Sequence, residues 1–362
     1  AFAASAFVPS AQATPDQRTR VIDIADIMQT RTLGSGQAAM RVTALGLGCM
    51  GMSHHRSETP DKSMLKRLIA HAYDLGVDFF DTAQVYGRVR AENEKLVGEA
   101  ISPFKDRIQV ATKFGFVFDE NEKKIEGQFN SRPENIRRVC EESLKNLGIE
   151  TIDLFYQHRF DPAVPAEDVA GTVADLIKEG KVKHFGMCEV GPNTIRAAHR
   201  ECPLTAIQSE YHLMWREPET KIFPTLAELG IGFVPYCPLC RAFPLGQINE
   251  NSTFPKNDRR ATLPMFTPEA LKANMPFVHL VAKWAKQSGC TPAEFVLAWV
   301  LSRGKHIAPI PGTTNPKHLD EDLRAASLSL SADEWKKFDE EFGQIKLVGH
   351  RADPFTESQI DK

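Results

Sequence analysis

Short, unbroken apolar runs recur eight times along the chain, and segments of helical periodicity separate them. The runs are ALGLG (44–48), FFDTA (79–83), IQVATKF (108–114), DLFYQH (153–158), KHFGMCE (183–189), AIQSEY (206–211), GFVPYC (232–237) and IAPIP (307–311). Runs of this kind, without polar alternation, are strands of a parallel sheet covered on both faces. Repetition of the strand–helix unit eight times predicts an α/β fold of the (β/α)8 TIM-barrel type rather than an open doubly wound sheet. No G-x-G-x-x-G turn follows the first run, which also argues against a Rossmann domain.

Punctuation between the runs supports the same division. Amphipathic helices are expected over about 60–75, 93–101, 131–147, 165–179, 194–200 and 221–229, with another beginning near Lys317. Ser131-Arg132-Pro133-Glu134 reads as a capping box with Pro in the first turn, and Gly148 as the helix stop. TRTLGSGQAAMRVTALG predicts an N-terminal hairpin around residues 33–36. A long loop rich in Pro and Phe, about 238–267, is expected after strand seven. The barrel domain is placed at 30–362, and residues 1–29 form an N-terminal extension. Ala11-Gln12-Ala13 has the small-x-small form of a signal-peptidase site, although no charged stretch precedes it. Residues 1–13 therefore read either as the tail of an export signal, implying a periplasmic protein, or as a plain extension on a cytoplasmic one.

Of the 362 residues, 25% are charged and the net charge is −3, with no basic run to suit nucleic acid. No stretch is long and apolar enough to span a membrane. Seven scattered cysteines suggest no disulfide framework. Cys237-x-x-Cys240 lacks the second ligand pair of a zinc site, and adjacent His54 and His55 lack a third ligand, so no metal is expected.

Four residues at strand ends carry complementary chemistry: Asp81, Tyr86, Lys113 and His158. In a barrel the C-terminal strand ends face one mouth, where active sites lie. A phenol ionises near pH 10, and a neighbouring ammonium favours its anion. Asp81 can hold Lys113 charged, and His158 can hydrogen-bond a carbonyl oxygen. The set suits proton delivery to a C=O while another group supplies hydride. One such residue at a strand end is usually structural; four at one rim are not so easily dismissed.

Beyond about Thr30 the chain resembles the aldo-keto reductases. The matching stretches include ALGLGCMGMS, GVDFFDTAQVYG, VATKFG, the run from NSRPEN to QHRFDP, LIKEGKVKHFGMCEVGPNTI, AIQSEYHLMWREPE, GIGFVPYCPL and PIPGTTNPKHLDEDL. The nearest branch is the microbial one carrying the QHRFDP and SEY signatures. The resemblance implies a metal-free (β/α)8 barrel that uses NADPH, sometimes NADH. It implies Tyr86 as general acid in reduction and base in oxidation, Lys113 lowering its pKa, Asp81 pairing with Lys113, and His158 orienting the carbonyl.

It also implies a cofactor site. Gly48, Cys49 and Met50 end the first strand; Gln208 would bind the nicotinamide carboxamide and Tyr236 stack on the ring. Cys188-Glu189 replaces the usual Ser and polar neighbour, and a thiol is a weak hydrogen-bonding group. Cys237-Pro238-Leu239-Cys240-Arg241-Ala242 replaces a loop that usually contains two glycines, which is expected to restrict left-handed conformations near the diphosphate. Arg241 is expected to stay available for phosphate. After strand eight, Gly312, Thr313, Thr314 and Lys317 approach the adenosine 2′-phosphate, with His318 at the usual Arg position; Glu321 and Asp322 lie at the adenine. NADPH is the expected cofactor.

The substrate is expected to be a small carbonyl compound, lined by Met52, His54 and His55, by Trp215, and by Phe243, Phe254 and Phe266 of the long loop, unless these aromatics only pack that loop. Two functions stay open: a carbonyl reductase (equally an alcohol dehydrogenase), or a cofactor-binding regulatory subunit with little turnover. A glycoside hydrolase would need a second acidic partner that is not apparent.

Overall fold

The computed structural model describes residues 28–53, 60–256 and 258–361. The export-signal motif and His54 and His55 fall outside them. An antiparallel hairpin, β1 (Thr30–Leu33) and β2 (Met40–Thr43), precedes the strands β3 (Leu47–Gly48), β4 (Phe79–Asp81) and β5 (Gln109–Phe114). A second hairpin follows at once, β6 (Phe116–Phe118) with β7 (Lys124–Phe129). Then come β8 (Ile152–Gln157), β9 (Val182–Cys188), β10 (Leu204–Glu210) and β11 (Gly232–Tyr236). Seven strands pair in parallel in the order β3-β4-β5-β8-β9-β10-β11.

Residues 307–311 close this sheet into the barrel. Ala308 and Ile310 donate to the carbonyls of Phe233 and Pro235 at 3.0 and 3.1 Å, while Gly46 and Gly48 donate to those of Pro309 and Pro311, both at 3.0 Å. The two prolines have no N–H to return toward β3. The seam on that side therefore carries hydrogen bonds in one direction only, and the eighth strand is irregular.

Side-chain alternation along each strand sets the interior. Phe79, Ala111, Leu154, Ala206 and Val234 fill the lower barrel together with Leu33, Met40 and Val42 of the first hairpin, which plugs that end. Two residues further along the same strands the inward positions are Asp81, Lys113, Tyr156, Gln208 and Tyr236. The alternate residues Phe80, Val110, Phe155, Phe185, Ile207 and Phe233 face the surrounding helices. Gly186 makes room within the barrel: a Cβ there would stand 2.4 Å from the Tyr156 ring.

Helix ends follow local chemistry. Asp61 caps Lys62–Asp74 by accepting from the N–H groups of Ser63 and Met64 at 3.1 and 3.2 Å. Gly148, at φ 65°, stops Pro133–Leu147 in the left-handed conformation. The expected capping box at Ser131 does not form. Ser131 is buried, its hydroxyl accepts from Gln157 and its N–H donates to Asp161, so Arg132 becomes the cap residue. After Ala332–Gly343 the chain returns across the barrel mouth as a strap, residues 344–361, with a short helix at Pro354–Ser358.

Candidate active site

Asp81 ends β4, Lys113 lies on β5 and His158 follows β8, so strand pairing alone brings three of the four residues to one rim. Tyr86 returns from the loop after β4, held by its N–H on the Ala83 carbonyl at 3.1 Å and by its own carbonyl accepting from the Asn93 N–H at 3.1 Å. The Lys113 ammonium is the hub. It lies 2.5 Å from Asp81 Oδ1, 2.9 Å from the Thr82 carbonyl and 3.1 Å from the Tyr86 hydroxyl. It also sits 4.8 Å from the centre of the Tyr86 ring. Gln208 Nε2 donates to the other Asp81 oxygen at 2.8 Å. The His158 and Tyr86 rings meet edge to face at 5.5 Å. All five side chains are buried.

Burial pushes the Tyr86 phenol up to about 12, against the pull of the Lys113 charge. Lys113 lowers it as expected, but burial outweighs that pull and the Asp81 charge adds to the rise. Burial likewise opposes the Lys113 ammonium, but Asp81 and the Tyr86 phenol hold its pKa above the ordinary value. At neutral pH the phenol keeps its proton and the amine its charge. A phenol in that state can donate a proton and leave its anion beside a cation.

The surrounding residues depart further from expectation. Glu189, at φ 53°, is locked rather than open. Arg351 of the strap grips both its oxygens at 2.9 Å, and the Tyr236 hydroxyl donates to it at 2.7 Å. Gly191 N–H donates to Asp361 at 2.9 Å, fixing the strap again. Arg241 is not left available: its guanidinium holds Glu210 at 3.0 and 3.1 Å. Burial opposes the Glu210 anion, yet Arg241 and His212 hold its carboxyl down at about 2. Cys237, Cys240, Arg241 and Ala242 adopt φ of 52°, 51°, 55° and 69°. The loop therefore takes the left-handed path without glycine, at about 1–2 kcal/mol per residue. Strained backbone of this sort gathers at functional sites.

Cys49 and Cys188 are buried; burial raises both thiols, Cys188 to about 12. Gly48 and Met50 flank Cys49 at the β3 end, and Pro238 and Leu239 lie in the strained loop. Gly312 and Thr314 lead into the helix Pro316–Arg324, whose cap Asn315 accepts from the Lys317 N–H and donates its own N–H to Thr313, both at 3.0 Å. Lys317 and His318 are exposed at its first turn, Glu321 is half-buried, and Asp322 is buried with its carboxyl pushed well up by burial and by Glu321.

Trp215 stands at the mouth against the strap, 4.6 Å from the Arg351 guanidinium and 4.7 Å from the His350 ring. Phe243 does not line the mouth. It is fully buried between Phe266 and Phe277, at 5.5 and 6.4 Å, so it packs the long loop. Sequence reasoning missed the β6–β7 hairpin, which sets Phe116 5.0 Å from the His158 ring, and it missed the strap. A separate cavity of about 920 Å³, lined by residues such as Arg31, Leu301 and Trp335, contains none of these groups.

The Aldo/keto reductase family model matches residues 44–341. The chain belongs to the aldo-keto reductase family. A probable aldo-keto reductase 1 of Glycine max is 42% identical over 306 residues, covering 84% of this chain and 86% of that one. The structure of a glycerol dehydrogenase of Gluconobacter oxydans superposes with a TM-score of 0.78 and 28% identity over 90% of this chain and 98% of its own. A thermostable aldo-keto reductase solved with the inhibitor epalrestat shares the fold, with a TM-score of 0.68 and 23% identity over 87% of this chain and 100% of its own. As an aldo-keto reductase the chain is an oxidoreductase for small carbonyl compounds, on a family barrel that generally takes nicotinamide cofactors.

Proposed function

We propose that this chain reduces an aldehyde or ketone to the alcohol with NADPH, reversibly, and that Tyr86 supplies the proton. The observation that carries the reading is the buried Asp81–Lys113–Tyr86 chain of contacts, with His158 against the phenol ring. Tyr86 would donate to the carbonyl oxygen, Lys113 would stabilise the tyrosinate that remains, and His158 would fix the oxygen between them. Asp81 keeps Lys113 charged and in place.

When bound, the nicotinamide supplies hydride to the carbonyl carbon. The donor set fits such a cofactor. Gln208, Cys188 and Tyr236 would hold the ring, and exposed Lys317 and His318 at a helix start would suit the 2′-phosphate. Arg241 is engaged by Glu210, so the diphosphate would rely on backbone N–H groups of the strained loop. The resemblance to a glycerol dehydrogenase supports alcohols as the reverse substrates.

Loss of NADPH absorbance with a panel of aldehydes, ketones and quinones tests this. Turnover is expected for at least one class, and Tyr86→Phe should lower kcat by about 10²–10⁴-fold. Absence of turnover across the panel, or a Tyr86→Phe variant as active as the parent, would contradict the proposal. Equal kcat/KM with NADPH and NADH would contradict the cofactor preference.

A further inference from the structure

Around the barrel mouth Lys113 has Asp81, Arg241 has Glu210 and Arg351 has Glu189 as a carboxylate partner. Arg159, the residue after His158, has no carboxylate in contact among the described residues. Among the described residues its guanidinium donates only to the His158 backbone carbonyl, at 2.8 Å, which keeps it beside the strand end that carries the proposed carbonyl-orienting histidine. It is half-buried, and its charge is felt by Tyr236, Glu189 and Tyr86. Glu189 favours the Arg159 cation from a distance, but both its oxygens are held by Arg351 and it makes no ion pair with Arg159.

A guanidinium is always charged, and its planar fork matches a carboxylate. With no carboxylate in contact, most of that fork's N–H donors are left for an incoming anion, and charge-assisted pairs are the strong hydrogen bonds. We infer that Arg159 is a specificity residue that binds a carboxylate on the substrate, so that this chain prefers carbonyl compounds bearing an anionic group. The inference rests on the reductase reading above and narrows it to keto acids and carboxy-aldehydes. The reaction balances as ordinary carbonyl reduction. A hydride from the reduced nicotinamide forms the new C–H bond, the C=O π electrons pass to oxygen, and that oxygen takes the Tyr86 proton. The carboxylate emerges unchanged on a hydroxy acid.

The test compares 4-carboxybenzaldehyde with its neutral methyl ester, methyl 4-formylbenzoate, on the full chain with saturating NADPH. The wild-type kcat/KM should favour the acid by roughly 10–100-fold, the scale of a charge-assisted hydrogen-bonded pair. That preference should shrink at high salt. Arg159→Gln should collapse the acid-to-ester ratio, chiefly through KM for the acid, and Arg159→Lys should keep part of it. Equal wild-type use of acid and ester overturns the inference without any variant. So does an Arg159→Gln enzyme with an unchanged ratio, including one whose only change is a higher KM for NADPH. Reduction of the ester alone sinks the anion inference and leaves the reductase reading standing. Reduction of no carbonyl in the wider panel sinks both.

Discussion

Replacing Lys113 by Met removes a charge from a site built around it. The ammonium is buried and contacts Asp81 at 2.5 Å, the Thr82 carbonyl at 2.9 Å and the Tyr86 hydroxyl at 3.1 Å. Methionine fills much of the volume but satisfies none of these. The Asp81 carboxylate would be left with the Gln208 amide donating to it and no cation beside it. Breaking a buried pair from one side costs about 3–5 kcal/mol, most of it the stranded charge. Lys113→Met should therefore lose that much in urea unfolding. The double variant Asp81→Asn/Lys113→Met should regain at least half, because no ion is left behind. Chemistry behaves differently: both variants leave Tyr86 without its cation, so neither should regain reductase activity. The reasoning fails if Lys113→Met costs less than about 1 kcal/mol, or if the double variant is no more stable than the single one.

Other consequences can be measured directly. Ala242→Gly relieves a left-handed alanine at φ 69° and should raise stability by about 1 kcal/mol, seen as a higher urea midpoint; a lower midpoint would show that the strain is not there. Arg351→Met strands the buried Glu189 and should cost about 3–5 kcal/mol while making residues 344–361 the first site of limited proteolysis. Burial opposes protonation of His212, yet Cys240 and Glu210 raise it to about 9. Its folded form thus binds the proton more tightly than the unfolded chain does. The stability this contributes is complete below about pH 6.5 and is lost as pH rises through about 9. Thermal midpoints should fall over that window in the wild type and stay flatter in His212→Gln.

The barrel was legible because its signal is repetitive: seven apolar runs became paired strands, and their C-terminal ends put Asp81, Lys113 and His158 at one rim. The eighth run was legible as a position, but Pro309 and Pro311 made it irregular. What escaped was set by contacts between distant parts of the chain. Nothing in CEVGP announces that Glu189 will be claimed by Arg351, 162 residues away. Arg241 sat in a loop where a phosphate contact was the natural expectation, and only tertiary packing brought Glu210 to it. The capping pattern at Ser131 was locally sound and lost to Gln157 and Asp161. Arg159 was in plain view within QHRFDP, yet the role inferred for it depends on the lack of a carboxylate among the described residues around it, which no linear pattern displays. Phe243 was aromatic in a mouth loop, a description that fits lining and core equally.

The half-bonded closure between residues 307–311 and the first barrel strand bears on how this cylinder would come apart. Where neighbouring staves exchange hydrogen bonds both ways, here Gly46 and Gly48 donate and receive nothing in return from the prolines. Cohesion along that line falls to side chains such as Leu47 and Ile310. Amide exchange at Gly46 and Gly48 should consequently run ahead of that at Thr112 or Phe155, in the middle of the wall, so the barrel would unzip from the place where its two ends were joined.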